Sequence, residues 1–158
     1  MATNHRTGDV AAVRLIFLLS FAVIVLTLFG LMLLAMGVLE EARKTYNIDA
    51  SRIYLTGLSQ GGAGSWAIGA KHADVFAAVV PICGFTGTWD KGNVTPQSVA
   101  EGISTLPIWA FHGLKDDVVL PKETEAIVAA VQAKQASLPG APAIKATYFP
   151  DANHNSWD

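Results

Sequence analysis

A serine between two glycines is the first group in this sequence that is suited to catalysis. The segment Gly57–Gly61 (GLSQG) follows a β-rich apolar run and precedes small residues that favour a helix. A tight turn from strand to helix presents a serine hydroxyl above a sheet, and the flanking glycines permit a strained backbone and close packing. The backbone N–H of Gln60, at the start of the helix, would then face a developing oxyanion. The pattern predicts Ser59 as a nucleophile and Gln60 as an oxyanion-hole donor.

Two later segments carry the residue types that such a nucleophile needs. Asp116 and Asp117 come shortly after a predicted strand, and His154 follows the last predicted strand. An imidazole there could take the proton from Ser59 and return it to the leaving group, and a carboxylate could orient the imidazole. The order Ser, Asp, His along the chain is the one used by a large class of parallel α/β enzymes. We therefore predict a triad of Ser59, His154 and one of the two aspartates.

Each of these residues also has an ordinary structural interpretation. Ser59 could be a helix N-cap, the two aspartates a solvated loop pair, and His154 a surface residue. The occurrence of all three segments in one chain favours catalysis. His112, just before the glycine at the end of a predicted strand, is interpreted as structural, and Cys83 as a small buried hydrophobe.

The elements that must position these groups alternate between strands and helices. Strands are predicted at 52–57, 75–82, 106–111 and 144–149, helices at 61–72 and 121–136, and a long loop at 84–102. This alternation predicts an α/β fold with a parallel sheet of about four strands and right-handed crossovers.

Composition argues against several other classes of protein. The net charge is −2 and there is no basic run, so we expect no nucleic-acid partner. The four histidines lack the spacing of metal ligands, so we expect no metal site, and the predicted chemistry needs no cofactor. A single cysteine cannot form an internal disulfide.

Residues 15–39 form an apolar segment without a charged side chain. As a helix it would be roughly 37 Å long, enough to cross a hydrocarbon core of about 30 Å. We predict a tail at 1–14, a single-pass membrane anchor at 15–39 and the α/β domain at 40–158. Two alternatives are a secretory signal whose removal would release the protein, and a helix buried in the domain, although the apolar run exceeds the usual length of a signal.

Three segments, IYLTGLSQGG, FHGLKDDVV and ANHNSW, resemble the phospholipase/carboxylesterase-like α/β-hydrolases. This group includes feruloyl-esterase-like, polyhydroxyalkanoate-depolymerase-like and peptidase-like members. The resemblance covers roughly residues 38–158. It implies a hydrolase acting on a small-molecule carboxylic ester, with Ser59 as the nucleophile, His154 as the base and Asp116 as the acid. Asp117 is the second choice for the acid.

The sequence departs from that group in ways that affect function. The strands that normally precede the nucleophile, and the loop that gives a second oxyanion donor, have no counterpart ahead of residue 52, and we expect an incomplete hydrolase fold. One alternative to an esterase is therefore a non-catalytic, membrane-tethered remnant that binds a partner. The other is a serine peptidase of the same fold, because peptide cleavage uses the same groups.

Overall fold

The computed structural model describes residues 34–88 and 93–157. The chain divides into two units, Met1–Thr45 and Tyr46–Asp158. The described part of the first unit is a helix, α1, at residues 34–45. The predicted tail and most of the predicted anchor at 15–39 lie outside the described residues. Within 34–88 and 93–157, none of the helices has both the length and the apolar character needed to cross a membrane.

A four-stranded parallel sheet forms the centre of the second unit. Its strands are β1 (Tyr54–Leu58), β2 (Ala78–Ile82), β5 (Trp109–Gly113) and β6 (Lys145–Phe149), in the spatial order β1-β2-β5-β6. Val79 and Ala110, one from each middle strand, are buried, as expected where a parallel sheet is covered by helices. The predicted α/β fold with about four parallel strands is confirmed.

In the described part of this unit, two α-helices pack on the sheet and a third packs on those two helices. They are α2 (Gln60–Lys71), α3 (Pro96–Ile103) and α4 (Pro121–Ala136). Helix α2 packs on β1, β2 and α3, and α4 packs on α3 and β5. The core between them contains Trp66 of α2, Ile103 of α3 and Ile127 of α4, all fully buried. Gly102 brings α3 against α2, because a side chain at that position would overlap the backbone carbonyl of Ala70.

The segment 84–102, predicted as a loop, contains regular structure. Its first part forms a short antiparallel pair, β3 (Gly87–Thr88) with β4 (Asn93–Val94), and its last part is α3. The helix begins with a capping box: the Thr95 side chain accepts from the Ser98 N–H, and the Ser98 hydroxyl accepts from the Thr95 N–H. Pro96 at the first helical position has the required φ and no N–H to satisfy. The loop prediction was wrong here because it weighted Gly, Pro and Asn content over these start signals.

Candidate active site

Ser59 lies on a strained turn between β1 and α2. Its φ is 54° and its ψ is −112°, a region that costs free energy for any residue with a side chain. The turn is fixed to the neighbouring strand, because the Ser59 N–H donates to the Ile82 carbonyl oxygen at 2.9 Å. The first helical hydrogen bond runs from Ala63 N–H to the Ser59 carbonyl oxygen. The N–H groups of residues 60–62 therefore precede the helix ladder, as the oxyanion assignment of Gln60 requires.

The structure brings Ser59, His154 and Asp116 into contact. Nε2 of His154 lies 2.9 Å from the Ser59 Oγ, and Nδ1 of His154 lies 2.9 Å from the Asp116 Oδ2. The imidazole is partly exposed, whereas the Asp116 side chain is fully buried. A proton can therefore pass between Ser59 and an imidazole whose far side faces a carboxylate.

The electrostatics of Asp116 favour its ionised form. Burial acts to raise the pKa of this carboxyl, but hydrogen bonds from His154 and from the N–H groups of Val119 and Val118 outweigh burial and hold the pKa below its ordinary value. Both backbone N–H groups donate to Oδ1 at 2.9 Å. Oδ2 is thereby left for imidazole nitrogens, among them Nδ1 of His154 at 2.9 Å. Asp117, the second choice for the acid, is exposed to solvent and is absent from these contacts.

The His154 loop is held against the end of β5. The Lys115 N–H donates to the Ala152 carbonyl oxygen at 2.9 Å, and the Leu114 N–H donates to the Phe149 carbonyl oxygen at 2.9 Å. Gly113 permits this approach, because a side chain there would overlap the carbonyl oxygens of Ala152 and Asn153. The Asp116 turn and the His154 loop are thus joined through their backbones.

Cys83 lies beside the nucleophile turn, at the end of β2. Its Sγ is 3.2 Å from the Ser59 nitrogen, its φ is 41°, and it is fully buried. Burial raises the pKa of this thiol, and the charge of Asp116 adds to the rise despite the hydrogen bond from Ser59. Among the residues that the structure describes, Cys83, Asp116 and His154 have possible metal-ligand atoms within 4.8 Å of one another, which is close enough to hold a metal ion. The Asp116–His154 hydrogen bond would have to give way to such an ion.

His112, interpreted from the sequence as structural, reaches the same carboxylate. Its ring is fully buried, and Nε2 lies 3.1 Å from the Asp116 Oδ2 and 2.8 Å from the Val119 carbonyl oxygen. The spacing of His112 and Asp116, four residues apart across a glycine, was the only signal of this contact in the sequence. Spacing alone does not distinguish such a contact from an ordinary strand end.

The structure matches part of the α/β-hydrolase fold, and the predicted resemblance to that superfamily is confirmed. A thermostable esterase of known structure is 32% identical, with a TM-score of 0.61 over 79% of this chain and 32% of that chain. The bifunctional acetylxylan esterase/xylanase XynS20E of Neocallimastix patriciarum is 33% identical over 88 residues, which are 56% of this chain and 12% of that protein. No protein-family model matches the chain.

More distant structures share the fold alone. SOBER1 of Arabidopsis thaliana is 15% identical, with a TM-score of 0.61 over 81% of this chain and 56% of that chain. The acylaminoacyl peptidase of Pyrococcus horikoshii is 18% identical, with a TM-score of 0.59 over 75% of this chain and 22% of that chain. The chain therefore spans about a third of the thermostable esterase and about half of SOBER1.

Proposed function

We propose that this chain is a serine hydrolase that cleaves carboxylic esters through an acyl-enzyme on Ser59. The observation that carries the proposal is the pair of 2.9 Å contacts from one imidazole, His154, to a hydroxyl on one side and a buried carboxylate on the other. The esterase likeness at 32% identity supports the choice of an ester as substrate.

The first half of the reaction forms the acyl-enzyme. The Ser59 Oγ attacks the carbonyl carbon while its proton passes to Nε2 of His154. The carbonyl oxygen becomes an oxyanion, which the Gln60 N–H stabilises at the start of α2. The intermediate then collapses: the bond from carbon to the alcohol oxygen breaks, and the alcohol leaves with the proton from Nε2.

The second half regenerates Ser59. A water molecule gives a proton to Nε2 and attacks the acyl carbon. The bond to Oγ breaks, Oγ recovers a proton from Nε2, and the carboxylic acid is released. Throughout, Asp116 accepts from Nδ1, which fixes the tautomer and stabilises the imidazolium without taking the proton itself.

Exposed apolar side chains beside the proposed triad favour an uncharged substrate. Leu58 precedes Ser59 and is 43% exposed, and Val118 follows Asp116 closely and is 68% exposed. Trp157 is 40% exposed, and its ring makes a T-shaped contact with that of His154, with the ring centroids 5.6 Å apart. An apolar acyl or alcohol group would remove this surface from water. Short-chain p-nitrophenyl esters are therefore suitable probes.

Labelling with a serine-directed fluorophosphonate tests the proposal directly. We expect the folded chain to be labelled and to hydrolyse p-nitrophenyl butyrate, and Ser59→Ala to do neither. Ser137→Ala is the matched control, since that exposed hydroxyl donates to the Lys134 carbonyl oxygen within its own helix end, and it should leave both signals intact. If the folded chain is not labelled, the proposed serine-hydrolase function is excluded. Hydrolysis of an anilide at a rate comparable with the ester would favour the peptidase.

A second candidate function rests on the outer strand β1. Within the described residues, β1 pairs only with β2, and Tyr54 and Leu58 on it are 63% and 43% exposed. An apolar strand with a free edge can accept a further strand, so a non-catalytic binding role is the alternative. In that case Ser59→Ala would leave binding of the added strand unchanged, whereas replacing Thr56 in β1 by proline would weaken that binding.

The membrane anchor at 15–39 also stays a proposal. It rests on the uncharged run in the sequence. Flotation of the expressed full chain with lipid vesicles tests it, with a chain beginning at residue 46 as the control. Recovery of the full chain as a soluble monomer would contradict the anchor.

A further inference from the structure

His112 makes contacts that the proposed reaction does not use. Its imidazole is fully buried, and it bridges the end of β5, the turn after Asp116 and the start of α4. On one side Nδ1 lies 2.7 Å from the Thr124 Oγ1, and Thr124 also lies 3.0 Å from the Gly84 carbonyl oxygen. On the other side Nε2 faces two oxygens, those of Val119 and Asp116.

The proton on Nε2 follows from these neighbours. A carbonyl oxygen and an ionised carboxylate are both acceptors, so Nε2 carries hydrogen and donates to Val119 at 2.8 Å with the Asp116 Oδ2 at 3.1 Å. The Thr124 hydroxyl has a single hydrogen, which can be given to Nδ1 or to the Gly84 carbonyl oxygen, and in both cases the two acceptors beside Nε2 require hydrogen on that nitrogen. His112 therefore presents a fixed donor edge to the carboxylate.

Val119 connects His112 to the other oxygen of the Asp116 carboxylate. The Val119 carbonyl oxygen accepts from His112, and the Val119 N–H donates to the Asp116 Oδ1. By holding Val119, His112 fixes a donor that orients one carboxylate oxygen. By lying next to Oδ2 it also restricts the other oxygen, the one bonded to His154.

We propose that His112 is a positioning residue for Asp116: its buried Nε2–H holds the carboxylate in the orientation that aligns His154 with Ser59. This inference rests on the proposed hydrolase function. It gives His112 no contact with the substrate and no part in proton transfer.

Two substitutions at His112 distinguish a role as a hydrogen-bond donor from a role in filling space. In His112→Gln the side-chain amide can reach the position of Nε2 and donate, whereas His112→Leu fills similar volume without a donor. The kcat is normalised to the concentration of active sites titrated with the fluorophosphonate. We expect His112→Leu to lower kcat about tenfold with KM unchanged, and His112→Gln to keep kcat within about threefold of the parent value. Equal loss in both variants would overturn the proposal.

A double-mutant cycle shows whether His112 acts through Asp116. In the Asp116→Asn background we expect His112→Leu to lower kcat by less than about twofold, because the carboxylate it positions is gone. A full tenfold loss in that background would mean that His112 acts elsewhere, and would contradict the proposal.

A readout without substrate separates this inference from the hydrolase proposal. The NMR signal of the His154 Nδ1 proton should be protected from exchange in the parent and in His112→Gln, and broadened in His112→Leu. An unchanged signal in folded His112→Leu would refute the positioning role even if the parent neither hydrolyses nor is labelled. If His112→Leu does not fold, the comparison of Thr124→Val with Thr124→Ser replaces that of His112→Leu with His112→Gln. Only the valine variant should lower kcat and broaden the signal, and equal effects would refute the role.

Discussion

Gly57 and Gly61 meet across the turn that carries Ser59, so closely that a Cβ on Gly57 would overlap the carbonyl group of Gly61. The reverse does not hold, because a Cβ built on Gly61 has no atom within 4 Å. The two glycines of the motif are therefore not equivalent. Gly57 is required for the backbone to turn back on itself, whereas Gly61 stands in the first turn of α2 with open space beside it.

Alanine at each glycine tests this asymmetry. Gly57→Ala should lower the free energy of unfolding by about 3 kcal/mol or more, because backbone rather than a flexible side chain must move. Gly61→Ala should leave it unchanged or raise it by up to about 1 kcal/mol, since alanine is the better helix former. Urea unfolding measures both. Equal destabilisation by the two variants would contradict the geometry of the turn.

The two neighbouring aspartates should differ sharply in activity. Asp116→Asn removes the acceptor for Nδ1 of His154 and should lower kcat about 10⁴-fold, because the imidazole loses its orientation and its counter-charge. Asp117→Asn, at an exposed position, should change kcat less than about twofold. Ester hydrolysis at pH 7 measures both. A large loss in Asp117→Asn alone would reverse the assignment of the acid.

The depressed pKa of Asp116 also predicts how stability depends on pH. Since the folded-state pKa lies below the unfolded value of about 3.9, ionised Asp116 stabilises the fold above that pH, and the contribution is lost as the pH falls through the folded value. Asp116→Asn should therefore be less stable than the parent at pH 7, by about 2 kcal/mol.

Urea unfolding at several pH values measures this difference in the free energy of unfolding. It should be constant from pH 7 to about pH 5 and shrink below about pH 4, as the parent carboxyl takes up a proton. Asp117→Asn is the control and should show no such trend. A difference that grew on acidification would mean that the folded-state pKa is raised rather than lowered.

The cap of α3 should contribute stability without affecting catalysis. Thr95→Ala removes the side-chain oxygen that accepts from the Ser98 N–H at 3.1 Å, and should lower the free energy of unfolding by about 1 kcal/mol. The labelling rate of Ser59 should not change, because α3 lies outside the site. Thermal unfolding by circular dichroism measures the loss, with Ser137→Ala as a surface control. An unchanged melting temperature would contradict the capping box.

The regular parts of the fold were accessible from the sequence because their signals are local. The helix at Pro121–Ala136 has the predicted bounds, since Pro121 marks its first turn clearly. The four parallel strands were found from their apolar runs, although β2 begins three residues later than predicted. Helix α3 was missed because it has only eight residues and is preceded by Gly- and Asn-containing segments that favour a loop.

The proposed site was only partly accessible for a different reason. Residue types and chain order selected Ser59 and His154, but the choice between Asp116 and Asp117 depends on a turn whose N–H groups hold one carboxylate and leave the other in solvent. The contact of His112 with that carboxylate arises only when β5 and α4 pack together. Its one local signal, the four-residue spacing of His112 and Asp116, is shared with ordinary strand ends.

The pairing of the sheet predicts that the site is sensitive to local opening. Within the described residues, β1 pairs with β2 and β5 with β6 at five positions each, while β2 and β5 pair at Ile82–Phe111 and through the bridge Val79–Ile108. Ser59 lies on the β1–β2 side of this sparsely paired boundary between β2 and β5. His154 and Asp116 lie on the β5–β6 side. A slight parting of the middle strands would therefore disconnect hydroxyl from imidazole while most of the backbone stayed ordered. Reactivity toward the phosphonate would then fade at denaturant concentrations too low to alter the circular dichroism.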